Sequence, residues 1–180
     1  MTASTTGPTT CRHSVFPSPF GPFGVAVDGE GRLVKAWFAG EDEAKADGTG
    51  MDAVGVADDL AAATLARAVA HLTAYFRGRP VDFDLPVAPH GSAFERDVWR
   101  HLQTIPYGRT TSYGAVAAAI GQPVDAARAV GAANARNPIA IVIPCHRVIG
   151  ADGSLVGYAG GLERKRGLLN LESGQGALDI

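Results

Sequence analysis

The sequence predicts an α+β protein in two parts: a small N-terminal α/β unit over residues 12–89, then a mostly helical C-terminal unit over residues 90–180. Three observations carry that prediction. Short apolar segments broken by glycine turns, then one long helical pattern, fill the first part. Three short helical patterns, punctuated by Pro106-Tyr107-Gly108, Gly121-Gln122-Pro123 and Asn137-Pro138, fill much of the second. Between the two, Arg79 to Pro89 is extended and interrupted by prolines, as a link should be.

Taken in order, residues 1–11 are rich in Ser, Thr, Gly and Pro and are expected to be a disordered tail. A brief strand is expected from Arg12 to Phe16. Gly24 to Val27 and Leu33 to Phe38 read as a hairpin across Asp28-Gly29-Glu30-Gly31. Gly40 to Gly55 reads as an acidic, solvated loop. Asp58 to Arg77 has the spacing of an amphipathic helix, with Leu60, Leu65, Val69, Leu72 and Phe76 as its apolar stripe and Asp58 and Asp59 favouring its start. Nothing in this part reads as catalytic, so it is given a supporting role.

In the second part Ser92 and Glu95 have the spacing of a capping box, and Phe94, Val98, Leu102 and Ile105 line one face of the helix it opens. Thr111 or Ser112 caps a short helix from Tyr113 to Ile120, stopped by Gly121. A further helix runs from Val124 to about Arg136. Short helix, tight turn and second helix are the pattern of a helix-turn-helix. Ile139 to Ile143 is an unbroken apolar run, expected as a short buried strand that Pro144 terminates. Leu162 to Glu172 reads as a last helix.

Composition sets limits on function. The 180 residues suffice to bury a core, and 46% hydrophobic with 19% charged residues is ordinary for a globular chain. No apolar run approaches the ~20 residues of a membrane helix, and the start lacks the basic flank and apolar core of a secretory signal. Two distant cysteines, Cys11 and Cys145, form no disulfide framework and fit the reducing cytoplasm. Cys11 and His13 are too few ligands for zinc, so no metal is expected. The net charge of −2 divides unevenly: residues 1–90 hold 7 Lys and Arg against 11 Asp and Glu, net −4, and residues 91–180 hold 9 against 7, net +2. Any nucleic-acid contact must therefore rest on local placement of cations.

After Pro144 come Cys145, His146 and Arg147, a thiol, an imidazole and a guanidinium in succession. A nucleophilic cysteine works as thiolate, and a neighbouring base or cation lowers its pKa. In an extended segment His146 would point away from Cys145, so a bend or a bridging water is needed to link them. Read alone, Cys145 could equally be a small buried hydrophobe at a strand end.

Pro144-Cys145-His146-Arg147-Val148 resembles the active-site signature of the O6-alkylguanine-DNA alkyltransferases, the methylated-DNA–protein-cysteine methyltransferases. The resemblance runs from about Phe94 to Glu172 and includes IPYGRTTSYG, AARAVGAANARNP and GYAGG. It implies a ribonuclease H-like N-terminal domain, and a winged helix-turn-helix that meets the minor groove of double-stranded DNA. The implied activity is cofactor-free and stoichiometric: after nucleotide flipping, Cys145 takes the alkyl group from O6-alkylguanine, and O4-alkylthymine as well, in a monomer needing no protein partner. Extrusion is required because a thiol cannot reach O6 inside a duplex.

Residue by residue, the resemblance makes Arg128 the side chain that fills the gap in the base stack, with Ala129 and Arg147 also at the DNA. On pattern alone Arg128 is an ordinary solvated arginine among small residues. Tyr113 is implied to turn the nucleotide and to protonate the departing base, though it could be a core tyrosine. Asn137 supports the active-site turn, and Asn134, Val148, Tyr158, Ala159 and Gly160 wall the base pocket. Many relatives carry Ser where Ala159 stands; the contact there is through backbone N–H, so the change matters little. Glu172, by default a solvated carboxylate, is implied to orient His146 in a Glu172–His146–water–Cys145 relay. Some relatives hold zinc in the N-terminal domain, a feature this sequence does not carry. Two other classes stay in view: a non-catalytic sensor of alkylated guanine, whose relatives lack the cysteine, and a thiol hydrolase, for which Arg128 and the helix-turn-helix have no use. A regulator would need a sensing domain that is not visible.

Overall fold

The computed structural model describes residues 11–40 and 56–174; the expected tail and most of the Gly40–Gly55 loop lie outside the described residues. Three strands, β1 (Arg12–Phe16), β2 (Phe23–Val27) and β3 (Leu33–Phe38), form an antiparallel meander with β2 at its centre. The hairpin expected between β2 and β3 is present. Asp28 closes it by accepting from the backbone N–H groups of Glu30 and Arg32 at 3.0 and 2.9 Å, and Gly31 takes the left-handed φ of +75° that the turn requires.

Helix α1 (Val56–Phe76) packs across β1 and β2. Its buried residues are Ala61, Thr64, Ala68, Leu72, Tyr75 and Phe76; of the expected stripe Leu72 and Phe76 are buried, Leu65 and Val69 pack partly buried against the core, and only Leu60, 56% exposed, lies outside it. The aromatic cluster of Phe16, Phe23 and Phe76 holds the end of the helix on the sheet. Tyr75, one turn beyond Leu72, is fully buried and reaches the C-terminal half.

Helices α2 (Ala93–Leu102), α3 (Tyr113–Ala119) and α4 (Ala127–Ala135) pack on one another. The capping box on α2 is complete, Ser92 Oγ accepting from the Glu95 N–H and the Glu95 carboxylate accepting from the Ser92 N–H. Ser112 caps α3, and Gly121 ends it at φ +73°. A single 3₁₀ turn, Val124–Ala126, leads into α4, so the expected helix to Arg136 is two pieces. Trp99 is buried on α2 and donates its indole N–H to Ala133 O at 2.9 Å, bolting α2 to the end of α4. Two-residue strands β4 (Thr111–Ser112) and β5 (Val148–Ile149) pair in parallel, and α5 (Leu162–Glu172) closes the fold as expected.

The expected strand at Ile139–Ile143 is not one. These residues form a buried turn in which Ile139 and Ile143 bridge Ala36 and Ala140, and Ile141 takes a left-handed φ of +72°. Burial is complete enough (0% exposure at Ile139 and Ile143) to account for the apolar run without any strand. The turn is nevertheless tied to the N-terminal sheet: Ala36 N–H donates to Pro138 O and Ala140 N–H to Ala36 O, both at 2.9 Å. No helix among the described residues is long and apolar enough to cross a membrane.

Candidate active site

Cys145 opens a one-turn 3₁₀ helix, Cys145–Arg147, rather than continuing an extended chain. It is 5% exposed and lines a cavity of about 230 Å³ with Trp37, Asn134, Asn137, Tyr158 and Ala159 among its walls. Two asparagines fix the turn. Asn134, on α4, donates from Nδ2 to Cys145 O at 3.1 Å. Asn137 donates to Ile143 O at 2.7 Å and accepts from the Ile139 N–H at 3.0 Å. Asn137 therefore grips both arms of the buried turn ahead of the cysteine.

Behind the thiol lies a dry cluster. His146 is fully buried, with Nε2 2.7 Å from Glu172 Oε1. Arg147 donates from Nε to Glu172 Oε2 at 2.9 Å, from Nη2 to Oε1 at 3.0 Å, and from Nη1 to Ile105 O at 2.6 Å. Gly108 N–H also donates to Glu172 Oε2, at 3.0 Å. Burial alone would raise the Glu172 pKa, but the hydrogen bonds from His146 and Arg147 and the charge of Arg147 outweigh it and hold it at about 2. A carboxylate ionised at every working pH can only accept, so Nε2 of His146 carries its proton and Nδ1 is the basic nitrogen. Nδ1 is buried and has no hydrogen-bond partner among the described residues.

Burial pushes the Cys145 thiol pKa above its ordinary value, more than the hydrogen bond from Asn137 and the charge of Lys165 pull it down. Burial thus favours the thiol form, and the hydrogen bond from Asn137 and the charge of Lys165 favour the thiolate. Burial likewise lowers the His146 pKa, against the pull of Glu172, which keeps the imidazole neutral and able to take a proton.

The sequence-selected residues divide into those gathered here and those held elsewhere. Cys145, His146, Asn134, Asn137 and Glu172 converge, and Tyr158, Ala159 and Gly160 form one cavity wall. Arg147, expected at the DNA, is instead only 7% exposed and bound to Glu172, because leaving that buried carboxylate unpaired is far costlier than losing a surface cation. Val148, expected as a pocket wall, is fully buried in β5 and does not line the cavity. Tyr113 lines a separate apolar depression with Val124 and Ala127, and its hydroxyl donates to Val156 O at 3.0 Å. Arg128 and Ala129 lie on α4 away from the cavity, and Arg128 forms no ion pair among the described residues.

Two residues escaped sequence reading. Lys165 is fully buried on α5 and donates to Val156 O at 2.8 Å and to the Tyr113 hydroxyl at 3.4 Å, tying the loop before α5 to α3. Its sequence context, Arg164-Lys165-Arg166, resembles any solvated basic run. Tyr75 reaches Glu172 from α1. The one available signal was its place one turn beyond Leu72.

Comparison with known proteins follows the same two-part division. Residues 11–89 match the family described as 6-O-methylguanine DNA methyltransferase, ribonuclease-like domain, and residues 93–174 match its DNA binding domain. A methylated-DNA–protein-cysteine methyltransferase of Methanosarcina acetivorans is 43% identical over 160 residues, 89% of this chain and 97% of that one. One from Mycolicibacterium paratuberculosis is 63% identical over 107 residues, 59% of this chain, and the match spans 64% of that relative. The crystal structure of Mycobacterium tuberculosis OGT in complex with DNA is 42% identical and superposes with a TM-score of 0.75, covering 93% of this chain and 96% of that one.

Proposed function

Because the chain belongs to the 6-O-methylguanine DNA methyltransferase family, we propose that it repairs DNA by direct reversal, moving the alkyl group from O6 of guanine onto Cys145. One observation carries the reading. Cys145 sits at a cavity wall and is followed in the same 3₁₀ turn by a histidine whose Nε2 lies 2.7 Å from an ionised glutamate, with Nδ1 unpaired among the described residues.

The reaction runs as an in-line displacement. A water carries the Cys145 proton to His146 Nδ1, which is neutral and ready for it. Sulfur forms a bond to the alkyl carbon as the carbon–O6 bond breaks, and the electron pair returns to the purine. Tyr113, which lines the neighbouring depression yet is close enough to feel the Cys145 charge, gives up its bond to Val156 O and donates the proton that neutralises the leaving guanine; burial, then that charge, raise its pKa and keep the phenol protonated until then. One proton leaves the thiol and one enters the base, so the chemistry balances without a cofactor. The product is a thioether that no neighbouring group can hydrolyse, so each molecule turns over once. O4-alkylthymine offers the same carbon to the same sulfur.

DNA docks along α4 through the minor groove, with Ala129 allowing close approach and Arg128 entering the stack where the damaged nucleotide swings out. An Arg128 with no ion pair among the described residues, and the relative solved on DNA, support that placement. The flipped base stacks on Tyr158 beside Ala159, Gly160 and Asn134. Domains of residues 12–89 and 90–180, a monomeric state and a cytoplasmic setting that keeps Cys145 reduced complete the reading.

The test is mass spectrometry of intact protein and peptides after mixing with a duplex bearing one O6-methylguanine. One methyl on the Cys145 peptide is expected, saturating at one per molecule and absent in Cys145→Ser. Tight lesion binding without mass gain would make the protein a sensor instead. Neither binding nor mass gain would remove the alkyltransferase reading altogether.

A further inference from the structure

We propose that Tyr75, on helix α1 of the N-terminal half, is a positioning residue for alkyl transfer: it holds Glu172 so that His146 keeps its proton on Nε2. The inference rests on the alkyltransferase reading and gives the N-terminal half a part in the chemistry.

Tyr75 is fully buried, and its hydroxyl donates to Glu172 Oε1 at 2.8 Å while lying 3.3 Å from His146 Nε2. Its ring is fixed edge-on by Phe76 at 5.7 Å and Tyr107 at 6.0 Å, so the hydroxyl has little freedom to leave. Burial and then the neighbouring carboxylate hold this phenol well above its ordinary pKa, which keeps it a donor. With its own proton given to Glu172, the phenol oxygen has only lone pairs left to offer His146. The proton of Nε2 thus faces two acceptors, Oε1 at 2.7 Å and the phenol oxygen at 3.3 Å. A proton moved to Nδ1 would leave the bare Nε2 against the lone pairs of Glu172 at 2.7 Å, and Tyr75 could donate to it only by withdrawing its proton from Glu172.

The titratable groups facing this cluster come from five segments, Tyr158 being in the loop before α5. Glu172 and Lys165 belong to α5, His146 and Arg147 to the 3₁₀ turn, Tyr107 to the loop before β4 and Tyr75 to α1. Only Tyr75 among them comes from the N-terminal half. Removing its hydroxyl takes one donor from Glu172: Oε1 loses a restraint and can shift from Nε2, while the less-shared carboxylate charge favours a protonated imidazole. The His146 pKa then rises, and the pH below which Nδ1 is already occupied moves up.

The experiment compares full-length wild type, Tyr75→Phe and Tyr107→Phe. The rate of methyl transfer from a lesion duplex is followed from about pH 5 to about pH 9, and the His146 tautomer is read by ¹⁵N NMR without DNA. Tyr75→Phe keeps the ring, and transfer is expected to slow about tenfold at neutral pH, the scale of one hydrogen bond to a charged group. Its acid limb should move upward and its imidazole should show mixed tautomers. Tyr107→Phe removes a hydroxyl from the same ring cluster, one that donates to Leu171 O, and should leave limb and tautomer unchanged. An unchanged rate and profile in Tyr75→Phe would overturn the proposal. So would a slower rate with limb and tautomer unmoved, since that is packing alone. Should Tyr75→Phe fold poorly, wild type still decides: a proton found on Nδ1 refutes the assignment. Absence of transfer by wild type would sink the alkyltransferase reading, and the tautomer data would judge Tyr75 separately.

Discussion

The two sides of the Cys145 turn are built on opposite terms. Behind it, both oxygens of Glu172 are filled by donors from His146, Arg147, Tyr75 and Gly108, drawn from distant stretches of chain. In front, the residues walling the cavity leave polar atoms unpaired: Asn134 Oδ1 and the Tyr158 hydroxyl are buried without partners among the described residues. A carboxylate with both oxygens filled is held rigidly, because every displacement breaks a charge-assisted hydrogen bond, and in that rear cluster His146 Nδ1 alone is left unpaired among the described residues. An unsatisfied group in a native protein invites a ligand to satisfy it. The contrast teaches that stability is concentrated where the substrate never goes, and polar capacity is left where it does.

The severest way to break the contrast is Glu172→Gln. It strands the Arg147 guanidinium without a counter-charge, and the loss should be about 3–5 kcal/mol in urea unfolding, the range for breaking one side of a buried pair. The same carboxylate dictates the acid behaviour. Its folded pKa of about 2 lies below the unfolded value near 4.5, so its contribution is full above about pH 4.5 and drains away as the pH falls towards 2. Wild type should lose stability steeply across that window, and Glu172→Gln should lose much less there. Equal slopes would show that Glu172 is not the acid-sensitive group.

Next in size is Arg128→Ala, which tests the outer face. Transfer from a lesion duplex should fall at least about tenfold, since unstacking a nucleotide costs a few kcal/mol that Arg128 no longer offsets. Transfer from free O6-methylguanine base should not change, and stability should stay within about 0.5 kcal/mol. A proportionate loss with the free base would place the defect in the thiol instead. The smallest effect belongs to Tyr158→Phe. Deleting an unpaired buried hydroxyl should raise stability by up to about 1 kcal/mol, while base binding weakens. A loss of stability there would mean that the front wall is paired as fully as the rear.

The sequence made some of this legible. The caps at Ser92, Ser112 and Gly121 delimit helices through local hydrogen bonds, and such signals survive without knowledge of the fold. The Cys145–His146–Glu172 set came from resemblance, and the geometry brings the three together. Arg147 was misjudged because its partner lies 25 residues away, and nothing local marks a guanidinium for burial. Ile139–Ile143 misled because an apolar run reports burial, not backbone shape. On α1 the expected stripe missed at Leu60, which lies exposed beside the buried Ala61, and it left out Tyr75, whose polar hydroxyl is buried because it reaches Glu172.

The left-handed backbone at Ile141 has a further consequence for which variants this turn can accept. A β-branched residue at φ +72° carries about 1–3 kcal/mol of strain that glycine would release. Yet the Ile141 side chain is buried to 1%, so glycine would empty a filled core site and lose about as much or more. Asparagine suits the backbone but brings a polar group to an apolar site, and valine or threonine keeps the strain while shrinking the fill. Improvement in one respect is met by loss in the other, so substitutions four residues ahead of the nucleophile should be tolerated far less than the plainness of an isoleucine among isoleucines implies.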